Sequence, residues 1–310
     1  MYWGKQKRRS DLLFHARFRR FRGRVVAVAL LALGCTHGAQ SPAAAPAARQ
    51  NNTYEIYAIE YGVLPQFRVS GLVEGADTSR KQDIAMMVWL VKGTNGHTVL
   101  MDAGFQPREN LMRQWHPSKY TRPDSAVAAF GVKAADVTDV IISHIHWDHF
   151  DGAELFPKAK IWIQKDEVEH YLDTTLSRRE RSALSADDAA MLQSLRAAGR
   201  VQLVPGDAQE IIPGIKVYIG GKHTFQSQYA GVRTAEGTVV LASDNVYMYE
   251  NLDKHVPIAA TLDRVSNLAA QDRMKTIASN PRLIVPGHDP LVMTRFTSVA
   301  PNVVRISGAH

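Results

Sequence analysis

The sequence has little cysteine and no apolar run long enough to cross a bilayer. Cys35 is the only cysteine among 310 residues, so no disulfide can form within the chain and the fold has to rest on a buried core. The main apolar run covers ten residues, 25–34, whereas a membrane-spanning helix needs about 20. Coiled-coil heptads and repeats of solenoid length are also missing from the sequence. These absences argue against a disulfide scaffold, a membrane-spanning domain and a solenoid.

A net positive charge is found only in the first 24 residues. Residues 1–24 contain nine lysines and arginines and one acid, Asp11, which gives this stretch a net charge of +8. The whole chain carries +7, which leaves −1 for the remaining residues. The high pI, about 9.5, therefore belongs to the leader. A body near neutrality gives no support to nucleic acid as a partner.

The leader has the order of a bacterial secretory signal, a basic stretch followed by the apolar run. We predict a signal peptide over residues 1–34 and export, either to the periplasm or to a membrane through a lipid on Cys35. The tetrapeptide ending at Cys35, Ala-Leu-Gly-Cys, resembles a lipoprotein cleavage box, and ordinary cleavage near 43–48 is the alternative. Residues 35–52, rich in Ser, Pro, Ala, Gln and Asn, are predicted to form a flexible tether. Residues 53–310 are predicted to form one domain.

Short apolar strands alternate with helices in the body. Predicted strands cover 53–60, 84–91, 98–101, 137–143, 160–163, 201–204, 215–219, 238–243 and 283–285. Predicted helices cover 166–171, 185–198 and 267–279. The resulting order of strands, helices, strands and helices favours an α/β domain, in which two β-rich halves pack their sheets face to face with helices outside.

A histidine-rich cluster, His144-x-His146-x-Asp148-His149, follows the strand predicted to end at Ser143. The cluster therefore lies on the loop leaving a strand, where α/β sheets carry their sites. Alternation along an extended loop would point His144, His146 and Asp148 one way and His149 another. Such a set suits two adjacent metal ions better than one. The alternative is a polar loop with solvated histidines, but 12 histidines in 310 residues argue against chance spacing.

Three later residues have the same chemistry and the same local context. His223 follows the strand predicted over 215–219, Asp244 follows the strand over 238–243, and His288 comes shortly after a third strand. Each signal is weak when taken singly, because a lone histidine after a glycine is most often a surface residue. Together with the cluster they complete a set of five histidines and two aspartates.

This set resembles the metallo-β-lactamase superfamily over residues 54–300. The motifs that carry the resemblance are His144-x-His146-x-Asp148-His149, His223-Thr224, Ser243-Asp244, Pro286-Gly287-His288 and the turn Met101-Asp102-Ala103-Gly104. The resemblance implies a four-layer αβ/βα sandwich of the metallo-β-lactamase type, with a metal site along one edge between the sheets.

Spacing and two further residues resemble the N-acyl-homoserine lactonase branch of that family. Asp244 comes 21 residues after His223, and His288 comes 44 residues after Asp244. Tyr247, three residues after Asp244, and Gln228, five residues after His223, also match this branch. The branch places its tyrosine over a dimetal centre.

Two positions depart from the family pattern. The family often has a second histidine four residues after the one matched by His223, and this chain has Ser227 there. The Gly-Gly that often follows the first cluster is Asp151-Gly152 in this chain. Neither departure removes a metal ligand.

The resemblance implies two divalent ions and a role for each ligand. His144, His146 and His223 would hold one ion, Asp148, His149 and His288 the other, and Asp244 and a hydroxide would bridge them. Histidine and aspartate donors favour Zn²⁺, and Fe²⁺, Mn²⁺ and Co²⁺ suit the same donors. Two cations that share a water lower its pKa toward neutrality and so supply a nucleophile.

Two residues have predicted catalytic roles and a third a supporting one. Tyr247 would donate a hydrogen bond to the substrate carbonyl oxygen, although tyrosines after strands are most often packing residues. Asp148 would carry a proton to the leaving alkoxide after the ring opens. Asp102 is predicted to orient a ligand histidine.

The predicted function is hydrolysis of a small-molecule ester, in the first place the lactone ring of an N-acyl-homoserine lactone, a quorum-quenching activity. The alternative within the superfamily is another ester, a thioester, a β-lactam or a phosphodiester. An iron redox protein would usually need a glutamate in the first cluster or a flavin module downstream, and the first cluster has no glutamate. A lipoprotein that only binds metal would be expected to lack a ligand, and none of the seven ligands is missing. The acyl-chain preference and the oligomeric state stay open.

Overall fold

The computed structural model describes residues 52–308. The predicted signal peptide, Cys35 and all but the last residue of the predicted tether lie outside this part of the chain. Among residues 52–308, no helix is long and apolar enough to cross a membrane.

The described chain contains thirteen strands and eight α-helices. The strands are β1 Tyr54–Arg68, β2 Lys81–Gly93, β3 Thr98–Met101, β4 Asp139–Ile141, β5 Lys160–Gln164, β6 Val201–Val204, β7 Gln209–Ile212, β8 Ile215–Ile219, β9 Gln228–Thr234, β10 Gly237–Ser243, β11 Ile284–Pro286, β12 Thr297–Ala300 and β13 Val303–Ser307. The helices are α1 Glu109–Trp115, α2 Pro123–Ala129, α3 Trp147–Phe150, α4 Lys165–Leu172, α5 Ala186–Ala197, α6 Tyr249–Lys254, α7 Arg264–Ile277 and α8 Val292–Arg295.

The strands form two sheets. The larger sheet has eight strands in the order β12-β13-β1-β2-β3-β4-β5-β6, and the smaller has five in the order β11-β10-β9-β8-β7. Neighbours from β3 to β6 run parallel, as do β10 and β11. Parallel neighbours end at the same edge of a sheet, so residues that follow these strands come together in space.

Alternation along the strands explains how two sheets give four layers. In β2, even-numbered and odd-numbered apolar residues belong to different cores, since successive side chains point to opposite faces. Ala85, Met87, Trp89 and Val91 lie between the sheets, whereas Ile84, Met86, Val88 and Leu90 face the outer helices. A third core packs β9 and β10 against α7, with Tyr229, Val240 and Met274 among its members. The αβ/βα sandwich implied by the sequence is confirmed.

Three predicted ends of strands and helices were wrong, each because of a specific contact. β1 runs to Arg68 rather than residue 60, because its second half continues to pair with β2 beyond two bulges. α7 begins at Arg264 rather than 267, since the Asp263 side chain caps it by accepting a hydrogen bond from Ser266 N at 3.1 Å. β4 ends at Ile141 rather than Ser143, because Ser143 N turns to donate to the Asp102 carboxylate.

Candidate metal centre

The candidate site forms where strands of both sheets end. β3 and β4 lead directly to Asp102 and to the segment that contains His144, and β10 and β11 lead to Asp244 and His288. His223 follows β8, which has the same direction as β10 because both run antiparallel to β9. Strand direction therefore brings residues that are far apart in sequence to one edge between the sheets.

The first cluster is an extended segment followed by a helical turn. The backbone of His146 is extended, with ψ 152°, and His146 occupies the N-cap position of α3. The single turn of α3 contains Asp148 and His149. His149 N donates to His146 O at 3.1 Å. The prediction of an extended loop through Asp148 was therefore wrong. The turn rotates Asp148 away from His144 and His146 and places it beside His149.

One group of donors consists of His144, His146, His223 and Asp244, whose candidate ligand atoms all lie within 4.8 Å of one another. His146 Nδ1 is 3.0 Å from His144 Nε2 and 2.9 Å from His223 Nε2. Ligand nitrogens about 2.0–2.1 Å from a tetrahedral zinc would stand about 3.3 Å apart. The three imidazoles are therefore close to the spacing that an ion requires.

A second group consists of Asp148, His149 and His288. Asp148 Oδ2 is 3.5 Å from His149 Nε2 and 3.7 Å from His288 Nε2. The two groups are contiguous through the Asp244 carboxylate. Its Oδ1 lies 2.9 Å from His288 Nε2 and 3.2 Å from His149 Nε2, and its Oδ2 lies 3.3 Å from His223 Nε2. Each oxygen of Asp244 thus faces one group, as a bridging ligand requires.

Outer contacts turn three of the histidines so that Nε2 points inward. Nδ1 of His223 faces Ala260 O at 2.8 Å, and Nδ1 of His288 faces Ala85 O at 3.0 Å. Nδ1 of His149 faces Asp102 Oδ2 at 2.8 Å. Because a carbonyl or carboxylate can only accept, each of these rings carries its proton on Nδ1 and leaves Nε2 free for a ligand bond.

His144 and Asp102 belong to a small network of serines beneath the centre. Nδ1 of His144 lies 2.9 Å from Ser143 Oγ. Ser143 Oγ and Ser243 Oγ both donate to Asp102 Oδ2, at 3.0 and 2.7 Å. Asp102 therefore makes the contact with a ligand histidine that the sequence predicts. Ser243 was missed, and its position next to Asp244 was the only signal that could have indicated it.

The charge states suit metal binding. Burial lowers the pKa of His146 to about 3, and burial with the imidazoles of His149 and His223 holds the pKa of His144 well below its usual value. Burial would raise the pKa of Asp244, but His149 and His288 hold it well below the ordinary range. His144 and His146 are therefore neutral beside an ionised Asp244. At His149 and His288, burial would lower the pKa, but Asp244 and Asp148 outweigh it and raise the pKa, so a cation in the second group would displace a proton from these imidazoles.

Two buried atoms support the same interpretation. His149 Nε2 and Asp244 Oδ1 have no hydrogen-bond partner in the described part of the chain. Unsatisfied buried polar atoms are costly in proteins, and a cation between these two atoms would satisfy both. The donor set of five histidines and two aspartates is that of a divalent-metal site.

Gly287 packs closely against Asp244 and Ser243 at the edge where the donors meet. A Cβ added to Gly287 would meet Asp244 Oδ1 at 2.8 Å and the Ser243 carbonyl carbon at 2.8 Å. Only glycine lets the chain before His288 approach Asp244 so closely. The Pro-Gly-His motif is therefore needed for its backbone geometry as well as for its ligand.

An apolar cavity of about 280 Å³ opens beside both groups. Tyr247, 7% exposed, borders it together with Asp148, Asp244 and His288. The other wall is apolar and consists of Leu64, Phe67, Leu72, Ile84, Trp115 and Trp147. Tyr120 and Phe150 also had the chemistry to line such a pocket, but Tyr120 packs on Phe105 and Phe150 is fully buried in the core.

Two larger cavities have other linings. One of about 660 Å³ touches His146 and His223 and has His170, Arg179 and Glu180 in its wall. Another of about 690 Å³ surrounds the ion pair of Arg80 and Glu250 and contains none of the predicted ligands.

The two departures from the family pattern have their own partners. Ser227 Oγ donates to Asn245 Oδ1 at 2.9 Å, so a hydrogen bond to the next loop occupies that position. Asp151 is buried and forms an ion pair with Arg108, which also contacts Asp187 at 3.1 Å. Gln228 is buried and donates to Ile142 O at 2.7 Å, beneath the cluster rather than in the cavity.

Comparison with known families agrees with this geometry. The family model of the metallo-beta-lactamase superfamily matches residues 86–288, which include every residue of both donor groups. This chain belongs to the metallo-β-lactamase superfamily. Its four-layer sandwich and its ligand-bearing strand ends are thus those of a metallo-β-lactamase fold.

Relatives within the superfamily include curated lactonases. An N-acyl homoserine lactonase from Bacillus thuringiensis is 27% identical over 161 residues, which are 51% of this chain and 58% of the relative. The chain thus spans somewhat more than half the length of that relative.

Two solved structures share the metallo-β-lactamase fold. A B. thuringiensis AiiA mutant with N-decanoyl-L-homoserine bound at its active site has a TM-score of 0.65, at 22% identity, over 81% of this chain and 98% of that one. AidC, a dizinc quorum-quenching lactonase, has a TM-score of 0.60, at 15% identity, over 83% of this chain and 95% of that one.

Proposed function

We propose that this chain is a dinuclear metal-dependent hydrolase that opens the lactone ring of N-acyl-homoserine lactones. The observation that carries the proposal is the arrangement of Asp244, each of whose oxygens faces one group of donors at the edge of an apolar cavity. Seven ligands are too many for one catalytic ion, which keeps an open position for water. They suit two neighbouring ions.

The described residues account for a mechanism without a side-chain nucleophile. Divalent ions in the two groups would activate water near neutral pH and polarise a carbonyl oxygen. Ser143 and Ser243, the serines next to ligand residues His144 and Asp244, both donate to Asp102, so neither is free to attack a substrate. Asp244 holds the two groups together, and the buried histidines exclude bulk water from the centre.

Tyr247 and Asp148 are the proposed catalytic side chains. Tyr247 borders the apolar cavity beside the donor groups, and burial raises the pKa of its phenol well above the usual value. It therefore stays protonated and can donate to the carbonyl oxygen as negative charge develops there. Asp148 lies on the same cavity. Burial would raise its pKa, but His149 and His288 lower it overall, so Asp148 is ionised and would take up the proton released when water attacks the carbonyl and pass it to the alkoxide that leaves when the ring opens.

The apolar wall supports an acyl substrate. Phe67 stacks on Trp115, and Trp115 stacks on Trp147 with ring centroids 5.4 Å apart, which gives a flat aromatic surface next to the metal centre. An alkyl chain gains free energy by leaving water for such a surface. The names of the lactonase relatives support the same class of substrate.

A substrate panel tests the proposal. Purified protein, loaded with Zn²⁺ and checked for two equivalents by elemental analysis, is assayed on an N-acyl-homoserine lactone, a simple ester, a β-lactam, a thioester and a phosphodiester. We expect the highest kcat/KM on the lactone, loss of activity after chelation and recovery with Zn²⁺. His146→Ala serves as the control for contaminating hydrolase. Faster cleavage of a non-lactone would reject the substrate class, and a fully active protein with one equivalent would reject the dinuclear mechanism.

We further propose that the protein is exported and acylated on Cys35. Support comes from the sequence alone, which has a basic stretch, an apolar run of ten residues and a single cysteine directly after Gly34. A lipid would hold the hydrolase at a membrane surface through the residues that precede the domain.

A further inference from the structure

Glu167 is a fully buried carboxylate in the first turn of α4. Glu167 is 0% exposed. Within residues 52–308 it forms no ion pair with a lysine or an arginine. Burying a carboxylate without a cation is unfavourable, because the charge loses its hydration. Burial accordingly raises the pKa of Glu167. The buried carboxylate therefore depends on hydrogen bonds for its stability.

Two backbone donors from different loops supply much of that compensation. Ile145 N donates to Glu167 Oε1 at 3.2 Å, and Gln226 N donates to Glu167 Oε2 at 2.6 Å. The position of Glu167 in the first turn of α4 adds the favourable field of the helix N-terminus. Each carboxylate oxygen thus holds a different loop to the same rigid helix.

Both of those loops contain ligands of the first donor group. Ile145 stands between His144 and His146, and Gln226 comes three residues after His223. A shift of either loop would therefore change the separation of His146 from His144 or from His223. These separations, 3.0 and 2.9 Å, define the pocket for the ion.

The second donor group is held by other contacts. Asp102 orients His149 at 2.8 Å, Ala85 O orients His288 at 3.0 Å, and Tyr61 donates to Asp148 O at 3.3 Å. None of these contacts involves α4. Glu167 should therefore affect the first group more than the second, which is linked to the same segment by the bond from His149 N to His146 O.

We propose that Glu167 is a positioning residue, whose carboxylate clamps the His144–His146 segment and the His223 loop together and so sets the metal affinity of the first donor group. The inference rests on the proposed function only in that the first group binds a divalent ion. It is independent of the substrate, and its test requires no turnover.

Tyr171 provides a matched control on the same helix. It lies one turn after Glu167, and its hydroxyl accepts a hydrogen bond from Phe225 N at 3.3 Å. Tyr171→Phe removes a contact with the His223 loop alone, whereas Glu167 joins two loops. Glu167→Gln keeps the shape of the side chain but leaves one acceptor oxygen for two N–H groups, so one loop is released.

The experiment measures Zn²⁺ affinity by competition with a chromophoric chelator. Glu167→Gln is introduced into two single-group backgrounds of the full chain, His288→Ala, which keeps the first group, and His146→Ala, which keeps the second. We expect Glu167→Gln to weaken Zn²⁺ binding by about 10–100-fold in the His288→Ala background, as removal of a supporting contact does elsewhere. Affinity in the His146→Ala background should change much less. Tyr171→Phe in the His288→Ala background should also cost less than Glu167→Gln, because it leaves both hydrogen bonds of Glu167 in place.

Three results would overturn the proposal. Unchanged affinity in the His288→Ala background would show that the first group does not need the clamp. An equal loss in both backgrounds would make Glu167 a general support of the fold. Glu167→Asp, which is one methylene shorter, is made in parallel. If circular dichroism shows that both Glu167→Gln and Glu167→Asp are unfolded, Glu167 is again a general support of the fold. A wild type that binds two Zn²⁺ but opens no lactone would reject the proposed function and leave this result intact.

Discussion

Nδ1 of His149 donates to the Asp102 carboxylate at a distance of 2.8 Å, and both groups are buried. The contact fixes the proton of the imidazole on Nδ1 and directs Nε2 toward Asp244. Asp102 has a positive φ of 58°, and Ser243, which donates to it, has a φ of 46°. Such left-handed backbone costs about 1–3 kcal/mol per residue. The hydrogen bonds within the network offset that cost and hold both strand ends in place.

Asp102→Asn is expected to weaken Zn²⁺ binding by the second donor group by about 10–100-fold. The amide nitrogen would have to face either the donors that now meet Asp102 Oδ2 or Ser143 N at Oδ1. The network loses an acceptor in either orientation, and the contact with His149 loses the negative charge that strengthens it. Competition titration with a chelator measures the effect. Asp139→Asn is the matched control, because Asp139 also accepts from a histidine, His97, at 3.0 Å but lies at the start of β4. Equal losses in the two variants would contradict a specific role for Asp102.

Gly287→Ala is expected to reduce the bound metal below two equivalents. The added Cβ would stand 2.8 Å from Asp244 Oδ1, so the carboxylate or the chain before His288 has to move. Gly62→Ala is the control, because its nearest neighbour would lie at an ordinary 3.6 Å. Elemental analysis after gel filtration measures the metal bound to each variant, and Gly62→Ala should keep two equivalents. Full occupancy in Gly287→Ala would show that the site tolerates the displacement.

Tyr247→Phe should keep both metal ions and lower kcat/KM for an N-acyl-homoserine lactone. Loss of one hydrogen bond to a developing charge costs about 1.5–3 kcal/mol, which is roughly tenfold to somewhat beyond a hundredfold. Tyr229→Phe is a suitable control, since its buried hydroxyl has no partner in the described chain and it packs against α7. An unchanged kcat/KM in Tyr247→Phe would make this tyrosine a packing residue.

We expect the ion cluster of Arg80, Glu250 and Lys254 to stabilise the fold in a pH-dependent way. Hydrogen bonds from Arg80 and Lys254 lower the pKa of Glu250 to about 2 from an ordinary value of 4.5. A depressed pKa stabilises the fold above pH 4.5 and loses that effect as the pH falls toward 2. Because these groups are partly exposed, the contribution at neutral pH is about 1 kcal/mol or less.

Urea unfolding of wild type and Glu250→Gln checks this prediction. The difference in the free energy of unfolding should be largest at pH 6–7, on the order of 1 kcal/mol, and should shrink steadily below pH 4.5. Arg80→Met should give a comparable loss, and the double variant should show less than the sum of the two. A difference that stays constant down to pH 2.5 would contradict the assigned cause.

The leader prediction is checked by intact mass. Protein from a bacterial membrane fraction should lack residues 1–34 and carry added acyl mass on Cys35, whereas Cys35→Ser should carry none. Cytosolic protein that retains Met1 would contradict export. A mature chain that begins beyond Cys35 without a lipid would contradict only the anchor.

Local sequence determined the parts of this protein that depend on residue type and short-range order. The apolar run at 84–91 indicated a strand, and the His-x-His-x-Asp-His spacing with His223, Asp244 and His288 indicated the donor set. These features are visible in sequence because strand formation and metal preference depend on neighbouring residues and on side-chain chemistry.

The family resemblance implied how those donors are divided, but tertiary structure alone decided the geometry of that division and how the donors are supported. The helical turn after His146 assigned Asp148 to the second group, and the two faces of the Asp244 carboxylate joined the groups. Glu167 meets Ile145 and Gln226 across 22 and 59 positions of the chain, and nothing in its local sequence indicates either contact. Distances of a few ångströms between distant segments depend on how two sheets and a helix pack, and no local pattern specifies that packing.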